Sequence, residues 1–370
     1  MGHSHPRRDF NTKFTWCQPL FVQLAQHSMN TLSQTADFDY ILPNDLIAQA
    51  PLPNRDQCRL LTLNRASGAI AHHRFDELPD LLRADDLLVL NDSRVLPARL
   101  LGHKSTGGRV EILLLRPHDA DSWSALTHPG LRVGQVVRFR DSLQAMVEAI
   151  GSDGERILRF DRAGYALDQA IHQIGQLPIP PYVKAPLQDP EDYQTVYAAE
   201  EGSVAAPTAG LHFSHELLER LRERGIEQAR LTLHVGVGTF RPVKVTNVAE
   251  HRMHAEWFRI PEDTAEQINQ AKQDGRRVVA VGTTVVRTLE SVADTQGRVH
   301  PTSGETDLFI VPGYQFRCVN ALITNFHLPR STLLMLVSAF AGREQVLAAY
   351  AEAVRERYRF YSFGDAMLLD

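Results

Sequence analysis

Residues 202–213 read GSVAAPTAGLHF, a run of small side chains that ends on His212 and Phe213. Side chains this small leave backbone amides open to a ligand, and the apolar sequel from Leu211 announces a helix just beyond. The segment reads as a small-molecule cradle around Thr208, Ala209 and Gly210, or as a tight turn in which glycine supplies backbone angles and alanine close packing. A second run, RVVAVGTT at residues 277–284, is a buried-strand pattern followed by a glycine turn at Gly282 and by Thr283 and Thr284 at a helix start. Open α/β sheets bind ligands at such strand ends, where free helix amides suit a carboxylate or phosphate. A capped structural helix is the alternative. Neither the GxGxxG fingerprint nor the Walker lysine is present, which excludes nicotinamide and nucleoside-triphosphate readings.

Three further constellations hold polar chemistry. LHVGVGTFRP at residues 233–242 sets glycines at alternate positions after a strand, clearing one face for another backbone or a planar ligand. HRMHAE at residues 251–256 gathers two imidazoles and a carboxylate. If extended, it places His254 and Glu256 on one face as a base with an orienting carboxylate. If helical, its His-x-x-His spacing could hold a metal, but the HExxH order is absent and no cysteine accompanies it; structural histidines are the third reading. Between two apolar runs lie Thr324, Asn325, His327 and Ser331, polar groups that cost free energy unless they are paired or used. Asn325 and His327 are the functional candidates, and Ser331 or Thr332 caps a helix. Upstream, Asp92, Arg94 and Arg99 surround a strand end, suited to an internal ion pair or to gripping a phosphate or base edge.

The elements that must position these residues follow from pattern. The 370 residues are 43% hydrophobic and 22% charged, enough for one large core or two smaller ones. Net charge is −5 with a sequence pI near 6.3, so no global basic field attracts nucleic acid. Cys17, Cys58 and Cys318 are far apart and odd in number, which points to a reducing compartment. No run of about eighteen apolar residues marks a membrane span. Residues 1–36 are polar or interrupted and lack a signal-peptide h-region, so disorder is expected there and Met29 is the expected biological start. Short apolar runs at residues 87–90, 110–115, 136–139, 145–150 and 157–160 alternate with turns, as in a small barrel or sandwich. Helical periodicity at residues 215–224, at 263–274 and after Thr283 then alternates with strand patterns at 229–235 and 277–281, implying a mostly parallel sheet. The expected architecture is an α/β domain of residues 37–80 and 170–370 with an all-β barrel of residues 81–169 inserted into it.

Taken together, the segments at residues 37–43, 91–100, 202–213, 233–243, 251–256, 280–291, 306–314, 324–342 and 358–368 resemble the S-adenosylmethionine:tRNA ribosyltransferase-isomerases of queuosine biosynthesis. The resemblance runs from Asp37 to the C-terminus. It implies an α/β domain with an inserted barrel and a cytoplasmic, metal-free enzyme, expected as a monomer. The implied reaction moves and isomerises the ribosyl group of S-adenosylmethionine onto 7-aminomethyl-7-deazaguanine at the tRNA wobble position. Epoxyqueuosine-tRNA forms, and adenine and methionine leave. On that basis His212 and the His254/Glu256 pair are expected to transfer protons, with His327 in reserve. Thr208 to Gly210 and Gly282 to Thr284 frame the adenosine and the methionine carboxylate. Asp92, Arg94, Arg99 and Asn325 are the candidates for tRNA. Residues 127–132 hold only Arg132 where the family usually has a Lys-Arg pair, and Asn320 stands where relatives usually carry aspartate. Two rivals are an S-adenosylmethionine-dependent RNA methyltransferase, disfavoured by the absence of a Gly-rich first βα turn, and a non-catalytic RNA-binding protein, disfavoured by acidic charge and the polar clusters.

Overall fold

The computed structural model describes residues 34–151, 154–236, 238 and 243–370. The expected disordered extension, Met29 and Cys17 fall almost wholly or wholly outside them, as do Val237 and residues 239–242 of the alternate-glycine segment. In chain order the strands are β1 (Arg59–Leu63), β2 (Ile70–Arg74), β3 (Leu87–Asn91), β4 (Ser93–Val95), β5 (Arg99–Lys104), β6 (Arg109–Asp119), β7 (Ser122–His128), β8 (Val136–Arg138) and β9 (Gln144–Ile150). They continue as β10 (Arg156–Phe160), β11 (Glu200–Ser203), β12 (Glu227–Leu233), β13 (Glu256–Ile260), β14 (Val278–Val281), β15 (Thr302–Thr306), β16 (Ala321–Asn325) and β17 (Ala366–Leu369).

A nine-stranded mixed sheet has the order β15-β13-β12-β3-β14-β16-β17-β1-β2. Its centre, β12-β3-β14-β16, is parallel, as is β17 with β1, and the remaining pairings are antiparallel. Strands β3, β14 and β16 are buried at every position because helices cover both faces. The pleat sorts their side chains: Leu87, Val89, Val278, Ala280 and Leu322 pack in one cluster with helices Glu262–Gln273, Thr283–Val292, Thr332–Ala341 and Arg343–Arg355. Leu88, Leu90, Val279, Val281 and Ile323 pack on the other side with Phe75, Leu78 and helix His215–Glu223. Among the described residues no single helix is long and apolar enough to cross a membrane; helices Thr332–Ala341 and Arg343–Arg355 meet at Gly342 with a bend of 114°, and the second contributes only the face of Val346, Ala349, Tyr350 and Ala353 to the core.

The closed barrel has the order β10-β7-β6-β5-β8-β9 with antiparallel neighbours throughout. Its interior holds Leu100, Val110, Ile112, Ala125, Val137, Val147 and Leu158. Helix Tyr165–Ile174 closes it through Leu167, Ala170 and Ile171. This corrects the expected boundaries of 81–169. Residues 87–90 belong to the large sheet, since an unbroken apolar run fits a strand covered on both faces better than a barrel wall with one wet side. The helix that reaches Ile174 belongs with the barrel core.

At the amino-terminal pole of the sheet, the fully buried Asp86 precedes β3 and receives a bidentate bond from Arg277, which precedes β14, at 2.8 and 2.6 Å. Arg277 also reaches the C-terminal Asp370. One guanidinium therefore clamps two central strands and the chain end. Removing its buried partner leaves the largely buried guanidinium with only the exposed Asp370, so Asp86→Ala should lower the unfolding free energy by about 3 kcal/mol. Urea unfolding of the variant against the parent checks this, and a loss below about 1 kcal/mol would show the clamp to be no stronger than a surface pair.

Candidate functional site

The candidate site lies at the opposite pole, where the parallel strands end. Asn91, the last residue of β3, is buried and uses all of its side-chain amide. Its Oδ1 accepts from the amides of Ser93 (3.1 Å) and Leu233 (3.0 Å), and its Nδ2 donates to Leu233 O (3.0 Å) and Thr284 Oγ1 (3.3 Å). The ends of β3 and β12 and the start of helix Thr283–Val292 are thereby held together. Gly282, at φ +91°, turns β14 into that helix in a conformation that favours glycine. A Cβ there would lie 3.5 Å from Ala209 Cβ, so the segments around Thr208–His212 and around Gly282, Thr283 and Thr284 are neighbours. The two candidate cradles thus form one floor. Gly210 serves packing within it, since a Cβ would stand 2.1 Å from Tyr197 Oη.

His212 sits at the far end of this floor. It is buried, its Nδ1 lies 3.2 Å from Cys58 Sγ, and its Nε2 has no hydrogen-bond partner among the described residues. Burial drives its pKa down to about 4, only partly opposed by the neighbouring Asn325 amide. Asn325 donates from Nδ2 to Tyr361 O at 2.9 Å, while its buried Oδ1 has no partner. The two atoms face each other, near enough for Asn325 to act on the His212 pKa yet short of hydrogen-bond geometry, so a ligand entering at the carboxyl ends of the strands can complete the bonding of either. A cavity of about 70 Å³ opens beside them, lined by His212, Cys58, Arg55, Leu211, Ser362 and Phe363 among others. Sequence reasoning used Cys58 only as a redox marker. Its contact with His212 spans 154 residues of chain and leaves no local signal.

The other candidates are placed differently. Glu256 is buried, accepts from Arg287 Nη1, and accepts from Gly236 N at 2.8 Å, whereas His254 is exposed with its ring over Gly238. Arg287 also donates to Leu308 O at 3.0 Å and Thr306 O at 3.2 Å, so the Glu256–Arg287 pair ties strand ends together. His327 belongs to an aromatic network: its Nε2 meets Thr324 Oγ1 at 3.2 Å, its amide donates to Tyr350 Oη at 3.0 Å, and its carbonyl accepts from Tyr40 Oη. Burial pushes its pKa down to about 3. Asp92 accepts from Thr232 Oγ1 at 2.7 Å and its pKa is raised by burial. Arg94 is paired with Glu191, and Arg99 grips Glu111 at 2.7 and 2.9 Å, so both arginines take up the ion-pair alternative. Asn320 accepts from Val278 N at 2.9 Å through its Oδ1, a role that needs an oxygen and no charge. Among the described residues no group of three His, Cys, Asp or Glu side chains is arranged to hold a metal.

Comparison with known proteins assigns the family. Residues 35–369 match the family described as queuosine biosynthesis protein. The S-adenosylmethionine:tRNA ribosyltransferase-isomerase of Natranaerobius thermophilus is 54% identical over 90% of this chain and 98% of its own length. The enzyme of that name from Desulfitobacterium hafniense is 55% identical over the same shares. The crystal structure of an S-adenosylmethionine tRNA ribosyltransferase from Thermotoga maritima is 40% identical, covers 90% of this chain and all of its own, and superposes with a TM-score of 0.53. The chain belongs to the queuosine biosynthesis protein family.

The buried histidines carry a pH signature. His212 and His327 bind a proton near pH 6.5 when unfolded but only near 4 and 3 when folded, so below pH 6.5 the unfolded state holds more protons. Stability therefore falls as pH drops through that window and is flat above it. His327→Gln should remove a share of the slope on the order of 1 kcal/mol per pH unit. Urea unfolding at pH 7, 6 and 5 measures it; equal slopes in variant and parent would mean that His327 protonates freely in the fold.

Proposed function

We propose that this chain is an S-adenosylmethionine:tRNA ribosyltransferase-isomerase that acts on 7-aminomethyl-7-deazaguanine in the tRNA anticodon and yields epoxyqueuosine-tRNA, adenine and methionine. The observation that carries the reading is the floor at the carboxyl ends of β3, β12, β14 and β16, with His212 Nε2 and Asn325 Oδ1 only loosely engaged with each other beside it, in a chain of this family. Thr283 and Thr284 begin a ten-residue helix whose first-turn amides suit the methionine carboxylate. Thr208, Ala209 and Gly210 lie next to them and frame the adenosine. The positive sulfonium acidifies the adjacent C5′ hydrogens, so that loss of one proton starts departure of adenine.

His212 takes part as a neutral ring. Burial raises the Cys58 thiol well above its ordinary pKa, so the sulfur keeps its hydrogen, and on this reading it donates that hydrogen to Nδ1. The ring hydrogen then lies on Nε2, toward the neighbouring Asn325 and the ligand, and donates to charge that develops on the departing base. His254, exposed at the rim, keeps the role of candidate base, and Glu256 holds Arg287. Asp92 is the acceptor proposed for the edge of the modified base. A tRNA substrate fits the cytoplasm, and a monomer is the proposed state.

The test is a chromatographic product assay with S-adenosylmethionine and tRNA carrying 7-aminomethyl-7-deazaguanine. Equal amounts of adenine and methionine with modified tRNA are expected. Release of S-adenosylhomocysteine would convert the assignment to a methyltransferase, and RNA binding without turnover would leave a binding protein. His212→Gln should lower single-turnover rates by about 10²-fold or more while S-adenosylmethionine still binds; a rate within threefold of the parent removes His212 from the chemistry.

A further inference from the structure

An aromatic stack stands on the rim beside the candidate site and has no part in the chemistry above. Trp257 of β13 faces His234, the residue that follows β12, with ring centroids 4.9 Å apart and planes within 20°. Their strands are antiparallel, and the His234 amide donates to Trp257 O at 2.9 Å, so the two side chains form a cross-strand pair. The back of the imidazole is closed by Gly202, where a Cβ would stand 2.5 Å from Nε2. Glycine backbone, imidazole and indole are thus layered against one another. The outer layer is open: Trp257 is 39% exposed, while Glu256, Phe258 and Ile260 on the other face of the strand are buried.

The position of the stack ties it to the site. His234 follows Leu233, whose amide and carbonyl are both held by Asn91, and Gly202 lies on β11, which leads to the Thr208–His212 turn. The outward face around Trp257 carries Arg259, paired with Glu200 at 2.9 Å, and Glu305, its cross-strand partner. Glu305 in turn meets Arg116 of barrel strand β6 at 3.5 Å. The indole therefore lies where the barrel and the sheet edge approach each other, between two arginines that are each already paired with a carboxylate. The two carboxylates can accept from the exocyclic amino groups of a base.

We propose that Trp257, backed by His234, is the platform on which an unpaired base of the tRNA anticodon loop stacks, next to the base being modified. This rests on the tRNA reading above. Loop bases are unstacked and splayed, and proteins hold them on aromatic faces in the absence of strong base-edge readout. A rigid, pre-stacked indole loses little freedom on accepting one.

Binding of an unmodified anticodon stem-loop to the full chain decides the matter. Trp257→Ala should weaken that binding about 5- to 100-fold, whereas Trp257→Phe stays within threefold. S-adenosylmethionine binding should be unchanged in both. The component of tryptophan emission that is missing in Trp257→Phe should be quenched by the stem-loop and spared when nucleotides flanking the wobble position are made abasic; Trp16 and Trp123 are present in both proteins and cancel in the difference. Trp257→Ala binding the stem-loop as tightly as the parent, or emission indifferent to abasic sites, overturns the proposal. A parent that binds and quenches but releases no adenine overturns the enzymatic reading and leaves the platform standing.

Discussion

Asn91 is the joint on which the site depends. Three segments far apart in sequence, the end of β3, the end of β12 and the first turn of helix Thr283–Val292, converge on one buried side chain whose four hydrogen bonds leave it satisfied. An amide suits this place because it offers an acceptor and two donors without charge. A carboxylate could hold Leu233 N but would face the Leu233 carbonyl with a second acceptor. The Thr208–His212 turn rests on Gly282 just behind Thr284, so the spacing of the proposed cradle is inherited from the joint. The amino-terminal pole, clamped by Asp86 and Arg277, holds the same strands from below. Strand ends fixed at both poles cannot slide, and a floor made of short segments gains the rigidity that loops alone lack.

The polar groups at the candidate positions and at the strand ends fall into two kinds. Glu256 with Arg287, Arg99 with Glu111 and Asp86 with Arg277 satisfy one another and hold structure. His212 Nε2 and Asn325 Oδ1 are buried and only loosely engaged with each other. Folding has to offset the desolvation of both kinds, but only the second kind regains its bonds when a ligand arrives. The distinction separates the proposed site from its scaffold, and it depends on pairing, which residue type does not disclose.

That is also why the sequence could be read only so far. The periodicity at residues 215–224, 263–274 and after Thr283 gave the helices close to their observed ends, because amphipathic period and capping are local properties. The apolar run at residues 87–90 was legible as a strand, yet its sheet was not, since an unbroken hydrophobic segment does not disclose its neighbours. Thr208 to Gly210 and Gly282 to Thr284 could be singled out as turns of small residues; their adjacency is a tertiary fact. Arg94 and Arg99 showed charge, while Glu191 and Glu111, which occupy them, lie 97 and 12 residues away. Cys58 beside His212 and Trp257 over His234 follow from packing and strand register, which no spacing in the chain reveals. The family resemblance supplied the reaction without supplying these contacts.

Charge sets a last constraint on how such a protein meets RNA. With a net charge of −5, the chain gains little from the long-range attraction that concentrates polyanions on basic proteins. Several surface arginines are already neutralised by carboxylates, as Arg94, Arg99, Arg159 and Arg259 are. Recognition must then rest on short-range terms that a uniformly charged helix cannot satisfy: stacking, base-edge hydrogen bonds and the filling of a shaped floor. Double-stranded stems offer the protein mainly phosphates, whereas an anticodon loop offers faces and edges. On the proposed reading, a weak field combined with a shaped floor favours a loop over a stem, and the acidic balance of the chain becomes part of that selectivity.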